Sequence, residues 1–499
     1  MDAKAGTSTV ANTSAAGYWK RIAIAAEALA GQSSVAASTL AGSQLRAAKA
    51  FEIIGGTQAA GASANRSRSG YIKRIVTALD AKNGAPTVGS LGKRFKTGLS
   101  TYAGVPGGGS QASLYLGNVA TKVAIPSALN GTNRQFNSRK HHYMRDNVTQ
   151  IKIRLPNWYW ARGASGLEVA GTGTIGYEAA IEYPEGVYTR VTFAGVNAGV
   201  ATGGNEVESD WCNVAIPKGA GFWVRVFANA SHNIVFNAGI ASPVTDQADE
   251  ALGDAMEFAV SGVTNKVMGG TITPTVTNAS SPIFGPVAIL AMTREPTVFI
   301  DGDSREWGLL ETYGNAGDLD GDRGVLAKII GPSFGYINAG GSGDSYQAWL
   351  TSNTRRLALA SYCSHVFLGK GVNDMRVSGS GLARSSAAVL ADQQTAIGLY
   401  AGKTILVKTI EPSSNGTFAD LAGQTVDAGT ANIQAFNVAQ RAKPTGVSVC
   451  FDVASAVEAP TAAGKWVPNY TSDGLHHSAA SHAAIKAANV INPALITRT

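Results

Sequence analysis

The sequence predicts a multidomain chain: a small helical repeat at the N-terminus, an antiparallel β-sandwich of jelly-roll-like character, and an α/β/α domain on a parallel sheet. Three observations predict it. A helical motif recurs within residues 1–110, apolar residues take period two over 111–295, and strands alternate with helices over 296–499. A length of 499 residues exceeds one ordinary core; at about 100–200 residues per domain, two to four are expected. Hydrophobic residues at 44%, with 59 glycines and only 15% charged residues, exclude a disordered chain, a coiled coil and a metal-stapled miniprotein.

The first part carries a repeat. Gly17-Tyr18-Trp19-Lys20-Arg21-Ile22 returns 53 residues later as Gly70-Tyr71-Ile72-Lys73-Arg74-Ile75, and each copy runs on as a short helical pattern that closes at Gly31 or Gly84. One amphipathic helix with a Gly/Ser/Ala linker cannot bury its apolar face alone. Either a small helical domain or leader, or an anchor that docks on a larger assembly, satisfies that pattern. Residues 1–110 also hold 13 Lys/Arg against 4 Asp/Glu, a net +9 that leaves the rest of the chain at −2. The basic residues come as isolated pairs, so a solvated or subunit-contacting surface is expected ahead of a nucleic-acid site.

The second part reads as strands. Ile151, Ile153 and Leu155 alternate with polar residues, Phe222 to Phe227 is apolar on both faces, and Pro184-Glu185-Gly186 turns one strand into the next. Many short strands with Gly-rich turns indicate an antiparallel sandwich.

In the third part, apolar strands at Thr297–Ile300, His365–Leu368, Thr404–Val407 and Val447–Phe451 alternate with helical stretches. The latter are Ser345–Ala360, Ser385–Tyr400, Ala431–Ala442 and Ala479–Val490. That alternation implies a parallel sheet covered on both faces, with chemistry at the carboxyl ends of its strands.

The first strand runs straight into Gly302-Asp303-Ser304, which places the serine hydroxyl at that edge. To be nucleophilic, a serine needs a histidine, and the histidine needs a carboxylate. Asp473-Gly474-Leu475-His476, in a turn before the last helix, supplies both. Acyl transfer also needs donors for an oxyanion. Asn338 to Asp344 offers a backbone N–H at a glycine, and Gly369 to Asp374 offers the side-chain amide of Asn373.

Four such blocks in this order resemble the SGNH (GDSL-type) hydrolase family over about residues 296–495. The resemblance implies Ser304 as nucleophile and His476 as general base, with Asp473 orienting it. The Ser304 N–H, Gly343 and Asn373 would form the oxyanion hole, and no metal or organic cofactor is required. The chain departs from the family in placing His477 directly after His476. It also puts charge and bulk beside the serine in Arg305-Glu306-Trp307. Trp307, Trp466 and Tyr470 are candidates for lining the substrate cleft.

Other residues carry plainer readings. Asp318 to Asp322 resembles a calcium loop but lacks the bidentate glutamate, so a solvated loop is expected. His141-His142 beside Arg139-Lys140 reads as an exposed basic turn. Trp158-Tyr159-Trp160 reads as core, with stacking on sugar rings as the alternative. Cys212, Cys363 and Cys450 lie far apart with no CxxC, so neither a disulfide framework nor a zinc site is expected.

The function these observations imply is a serine esterase removing an acetyl or similar acyl group from a cell-surface polysaccharide. The β-sandwich would help to bind the glycan, by analogy with carbohydrate esterases of that arrangement. No secretory h-region opens the chain and no stretch reaches the ~18 apolar residues of a membrane span. A polysaccharide substrate and no visible export signal together suggest a phage or phage-like particle. The N-terminal segment would then bind virion structural proteins, and the chain would form a homo-oligomer. A non-catalytic glycan-binding spike and a free bacterial acetylesterase are the rival readings.

Overall fold

The computed structural model describes residues 112–498 except 129–131, 162–165, 236–247, 278–281 and 312–321. The N-terminal repeat therefore lies outside the described residues. Ala112–Arg498 forms one compact unit.

Two antiparallel sheets build its β part. One orders Tyr115–Asn118, Ala288–Thr293, Val148–Pro156 and Glu206–Glu208, with Cys212–Ile216 also on Val148–Pro156. The other orders Ala255–Ala259, Gln135–Tyr143, Gly221–Ala230, Thr174–Glu182 and Tyr188–Val191, with Ala198–Thr202 also on Thr174–Glu182. Period two does its work here: Ile151, Ile153 and Leu155 of the first sheet share one core with Phe136, Ile181, Phe222, Val224 and Val226 of the second. The turn expected at Pro184-Glu185-Gly186 joins Thr174–Glu182 to Tyr188–Val191, which pair antiparallel.

His141 and His142 depart from the expected exposed turn. They lie inside Gln135–Tyr143 and are buried. Burial pushes the His141 imidazole down to about 3 and His142 well below its ordinary value, so both stay neutral at neutral pH. Burial along this strand does not alternate, since residues 136–138 and 140–142 are all buried, so no period-two signal marks it in the sequence.

The α/β part carries a six-stranded sheet in the order Val123–Ala124, Gly335–Asn338, Thr297–Gly302, His365–Gly369, Thr404–Lys408, Val447–Phe451. All its pairings are parallel. The edge strand Val123–Ala124 comes from the segment that otherwise builds the β part. Three of the four expected helices are present, at Ser386–Leu399, Thr430–Arg441 and Ala479–Ala488. The fourth divides into Tyr346–Thr351 and Thr354–Ala360. Glu168, from the β part, accepts from Arg355 N and Arg356 N at 2.8 Å each and so starts the second piece. Among the described residues no helix is long and apolar enough to cross a membrane.

Candidate active site

Ser304 stands two residues beyond strand Thr297–Gly302, the Gly343 turn five beyond Gly335–Asn338, and Asn373 four beyond His365–Gly369. The register pairs Ile300 with Asn338 and Gly302 with Gly369, so these three adjacent strands end together. Three segments far apart in sequence are thereby delivered to one edge of the sheet.

Ser304 opens a single helical turn, Ser304–Trp307, whose cap is Asp303 accepting from Arg305 N at 3.0 Å. As its first residue, Ser304 has no acceptor within the helix for its N–H. His476 reaches across 172 residues of sequence, with Nε2 2.7 Å from Ser304 Oγ. Its Nδ1 lies 2.6 Å from Asp473 Oδ2. A carboxylate only accepts, so Nδ1 carries the hydrogen, and Nε2 is left to accept the Ser304 hydroxyl proton.

The Asp473–His476 turn is locally closed. Asp473 Oδ1 accepts from His476 N at 2.8 Å and Leu475 N at 2.9 Å. Burial pushes this carboxyl up, but the His476 ring and those two N–H groups outweigh it and hold it well below the usual carboxylate range. Gly474 sits at φ +79°, and a Cβ there would fall 1.8 Å from Ser414 O, so only glycine fits. The indole N–H of Trp466 donates to Gly474 O at 3.0 Å.

His477 takes no part in this chain. Its Nε2 lies 3.1 Å from Glu411 Oε1, its Nδ1 meets Ser481 Oγ, and its ring stands edge-on to Trp466. Burial lowers it to about 3 against the opposing pull of Glu411, which keeps it neutral. Of the two adjacent histidines, the structure puts His476 on the serine.

Beyond the neighbouring strand Gly335–Asn338, Gly343 turns at φ +83°, and its N–H donates to no described residue. Asn373 Nδ2 donates to Asp344 O at 2.9 Å, which ties this segment to the Gly343 turn and leaves its second N–H free. Trp160 packs flat against Gly341, where a Cβ would clash with its ring at 2.5 Å. Trp158 and Trp160 are both buried, in keeping with the core reading rather than sugar stacking.

The residues expected to line a cleft behave differently. Trp466 is fully buried (0% exposed) and braces the histidine turn, and Trp307 is 3% exposed. Both indoles are packed in the interior instead of lining an open surface. Tyr470 is half-buried, packed against the core that holds Trp466.

The charged side chains of Arg305 and Glu306 are likewise buried. Arg305 donates to Leu475 O (2.9 Å), Glu411 Oε2 (2.9 Å) and Pro412 O (2.8 Å). Lys408 bridges Glu411 and Glu306 at 2.7 and 3.0 Å. A second network joins the strand ends: Lys370 pairs with both Asp301 and Asp344 at 2.7 Å, and Arg356 pairs with Asp344 at 2.8 Å. All of these side chains are at most 1% exposed. Such groups are tolerable only when each is paired, since an unpaired buried charge costs several kcal/mol. Sequence reasoning missed both networks. Their one signal was charged residues standing next to strand-end motifs, where exposure would be the ordinary expectation.

Among the described residues no group of three or more His, Cys, Asp or Glu is arranged to hold a metal. Asp322, at the end of the acidic run, is buried and accepts from Tyr336 OH at 2.5 Å, while 318–321 lie outside the described residues.

Fold and site together define an α/β domain with a serine–histidine–aspartate chain at the carboxyl edge of its parallel sheet. Solved structures to which the chain is similar include esterases and lipases. One is a carbohydrate acetylesterase from Sinorhizobium meliloti (17% identity, 41% of this chain and 100% of that one, TM-score 0.28). Another is a GDSL-like lipase from Bacteroides thetaiotaomicron (17%, 40% and 87%, 0.29). A third is a carbohydrate esterase family 2 enzyme with a carbohydrate binding domain from Corynascus thermopiles (14%, 77% and 98%, 0.29). No family model and no curated protein matches the chain. At these values the likeness carries nothing on activity, which rests on the residues described above.

Proposed function

We propose that the protein is a serine carboxyl-ester hydrolase of the SGNH type that removes acetyl or similar acyl groups from a cell-surface polysaccharide. The observation that carries the hydrolase reading is the hydrogen-bonded chain Ser304–His476–Asp473, at 2.7 and 2.6 Å. Ser304 Oγ attacks the ester carbonyl while His476 Nε2 takes its proton, and the imidazolium that forms is paired with the Asp473 carboxylate. The N–H groups of Ser304, Gly343 and Asn373 receive the oxyanion. His476 then gives its proton to the leaving alcohol, and a water activated by the same nitrogen hydrolyses the acyl-enzyme, restoring Ser304.

The test is acetate release from an acetylated surface polysaccharide and from an aryl acetate, for wild type and Ser304→Ala side by side. Release that disappears in the folded mutant supports the reading. Release from neither protein, with glycan binding retained, identifies a binding spike that keeps the fold as a scaffold.

Residues 1–110 attach the chain to virion structural proteins, and it acts there as an oligomeric fibre or spike component. Support comes from the internal repeat and the basic bias of that segment. Deleting 1–110 removes the chain from particles if this is right, and leaves incorporation unchanged if it is wrong.

A further inference from the structure

The amide of Asn373 is held at both ends. Its nitrogen donates to Asp344 O at 2.9 Å, and its Oδ1 accepts from Arg376 Nε at 3.2 Å. A guanidinium only donates and a backbone carbonyl only accepts, so the amide has one possible orientation, with one N–H left over. That remaining N–H is the group assigned above to the oxyanion.

Arg376 is placed to do more than orient. It follows the short helix Val372–Met375 that carries Asn373, and a second nitrogen donates to Ser380 Oγ at 3.0 Å. The loop beyond it is pinned by Asp427, which accepts from Val377 N at 2.8 Å and Ser378 N at 2.9 Å. Burial and then the like charge of Arg305 pull the Arg376 guanidinium below the ordinary range, against the opposing charges of Asp303, Asp427 and Asp473. A cation hydrogen-bonded to an amide oxygen draws electron density from that amide and makes its N–H a stronger donor, the more so at low local dielectric.

We propose that Arg376 is a positioning residue for the oxyanion hole: through the Oδ1 of Asn373 it both fixes and polarises the amide that receives the developing negative charge. This rests on the hydrolase reading. Arg376 touches no reacting atom, and its effect runs entirely through Asn373.

The test is a double-mutant cycle on the full chain with an aryl acetate, together with the rate at which an activated phosphonate ester labels Ser304. Removing the donor in Asn373→Ala is expected to lower kcat by about 10²–10³. Arg376→Gln is expected to lower kcat on the order of 10-fold with KM little changed, since the donor stays but loses its polarisation. In the Asn373→Ala background, Arg376→Gln is expected to cost nothing further. Ser380→Ala, which removes only the loop contact, is expected to leave kcat as it was. Equal losses from Arg376→Gln in both backgrounds, or a Ser380→Ala loss as large, would overturn the proposal by showing that the arginine only supports the loop. A wild type that neither turns over nor is labelled overturns the hydrolase reading itself, and the proposal with it.

Discussion

Arg305 Nε donates to the carbonyl of Leu475 at 2.9 Å, so the residue after the serine grips the residue before the histidine. The remaining guanidinium donors go to Glu411 and Pro412, at the end of strand Thr404–Lys408. One fully buried side chain thus ties the serine turn to the histidine turn and to the segment after that strand. A rigid planar fork suits this task better than a single flexible ammonium.

Arg305→Lys keeps the charge but cannot reach three acceptors in fixed directions. It should leave the protein folded and lower kcat by about 10², the usual cost of a misplacement near 1 Å. Arg305→Met should also destabilise the fold, by about 3–5 kcal/mol, because Glu411 loses a buried partner. Aryl acetate kinetics with urea unfolding separates the two; unchanged kcat in Arg305→Lys would contradict the clamp.

Asp473→Asn tests the tautomer. An amide can present its NH₂ to Nδ1, which then accepts and leaves the ring hydrogen on Nε2, unable to accept from Ser304. A kcat loss on the order of 10⁴ is expected from the wrong tautomer, with folding retained. A loss of only a few-fold would mean that Asp473 does not orient the base.

His476 and His477 should separate cleanly. His476→Ala should abolish turnover in a stable protein. His477→Gln should keep turnover within a few-fold and lower stability by about 1–3 kcal/mol, the cost of disturbing a buried hydrogen-bonded group. The reverse pattern would reassign the base.

A pH effect follows from Asp374, which accepts from Tyr346 N and Arg384. Burial raises its carboxyl from 3.8 to about 6 despite those donors. The folded state therefore binds this proton more tightly than the unfolded chain does. The associated stability is fully present below pH 4 and is lost as pH rises through about 6. Relative to Asp374→Asn, the wild type should lose up to about 3 kcal/mol between pH 4 and pH 7, from the cost of one pKa unit. A difference that stays flat across that range, measured by denaturant unfolding, would refute this.

By itself the sequence determined most of the strands and helices from Thr297 onward and named the candidate residues at their ends. Strand, turn and helix signals are local, so Thr297 to Ser304, the Gly343 and Asn373 segments and the Asp473–His476 turn were all legible at the ends of their elements. Tertiary structure decided what needs distance in sequence to be closed. The Asp-x-x-His spacing pointed to His476, and the tertiary structure added where its neighbour goes, with His477 held by Glu411 and Ser481 away from Ser304. Trp307 and Trp466 became packing instead of cleft walls, and His141 and His142 became buried strand residues, because burial is a property of neighbours. The charged residues Arg305, Glu306, Lys370 and Asp344 read as exposed by type. They lie inside because the parallel strands bring opposite charges, up to 106 positions apart, within 3 Å of one another. Local propensity writes the parts, and only the fold supplies the partners that make a buried charge tolerable.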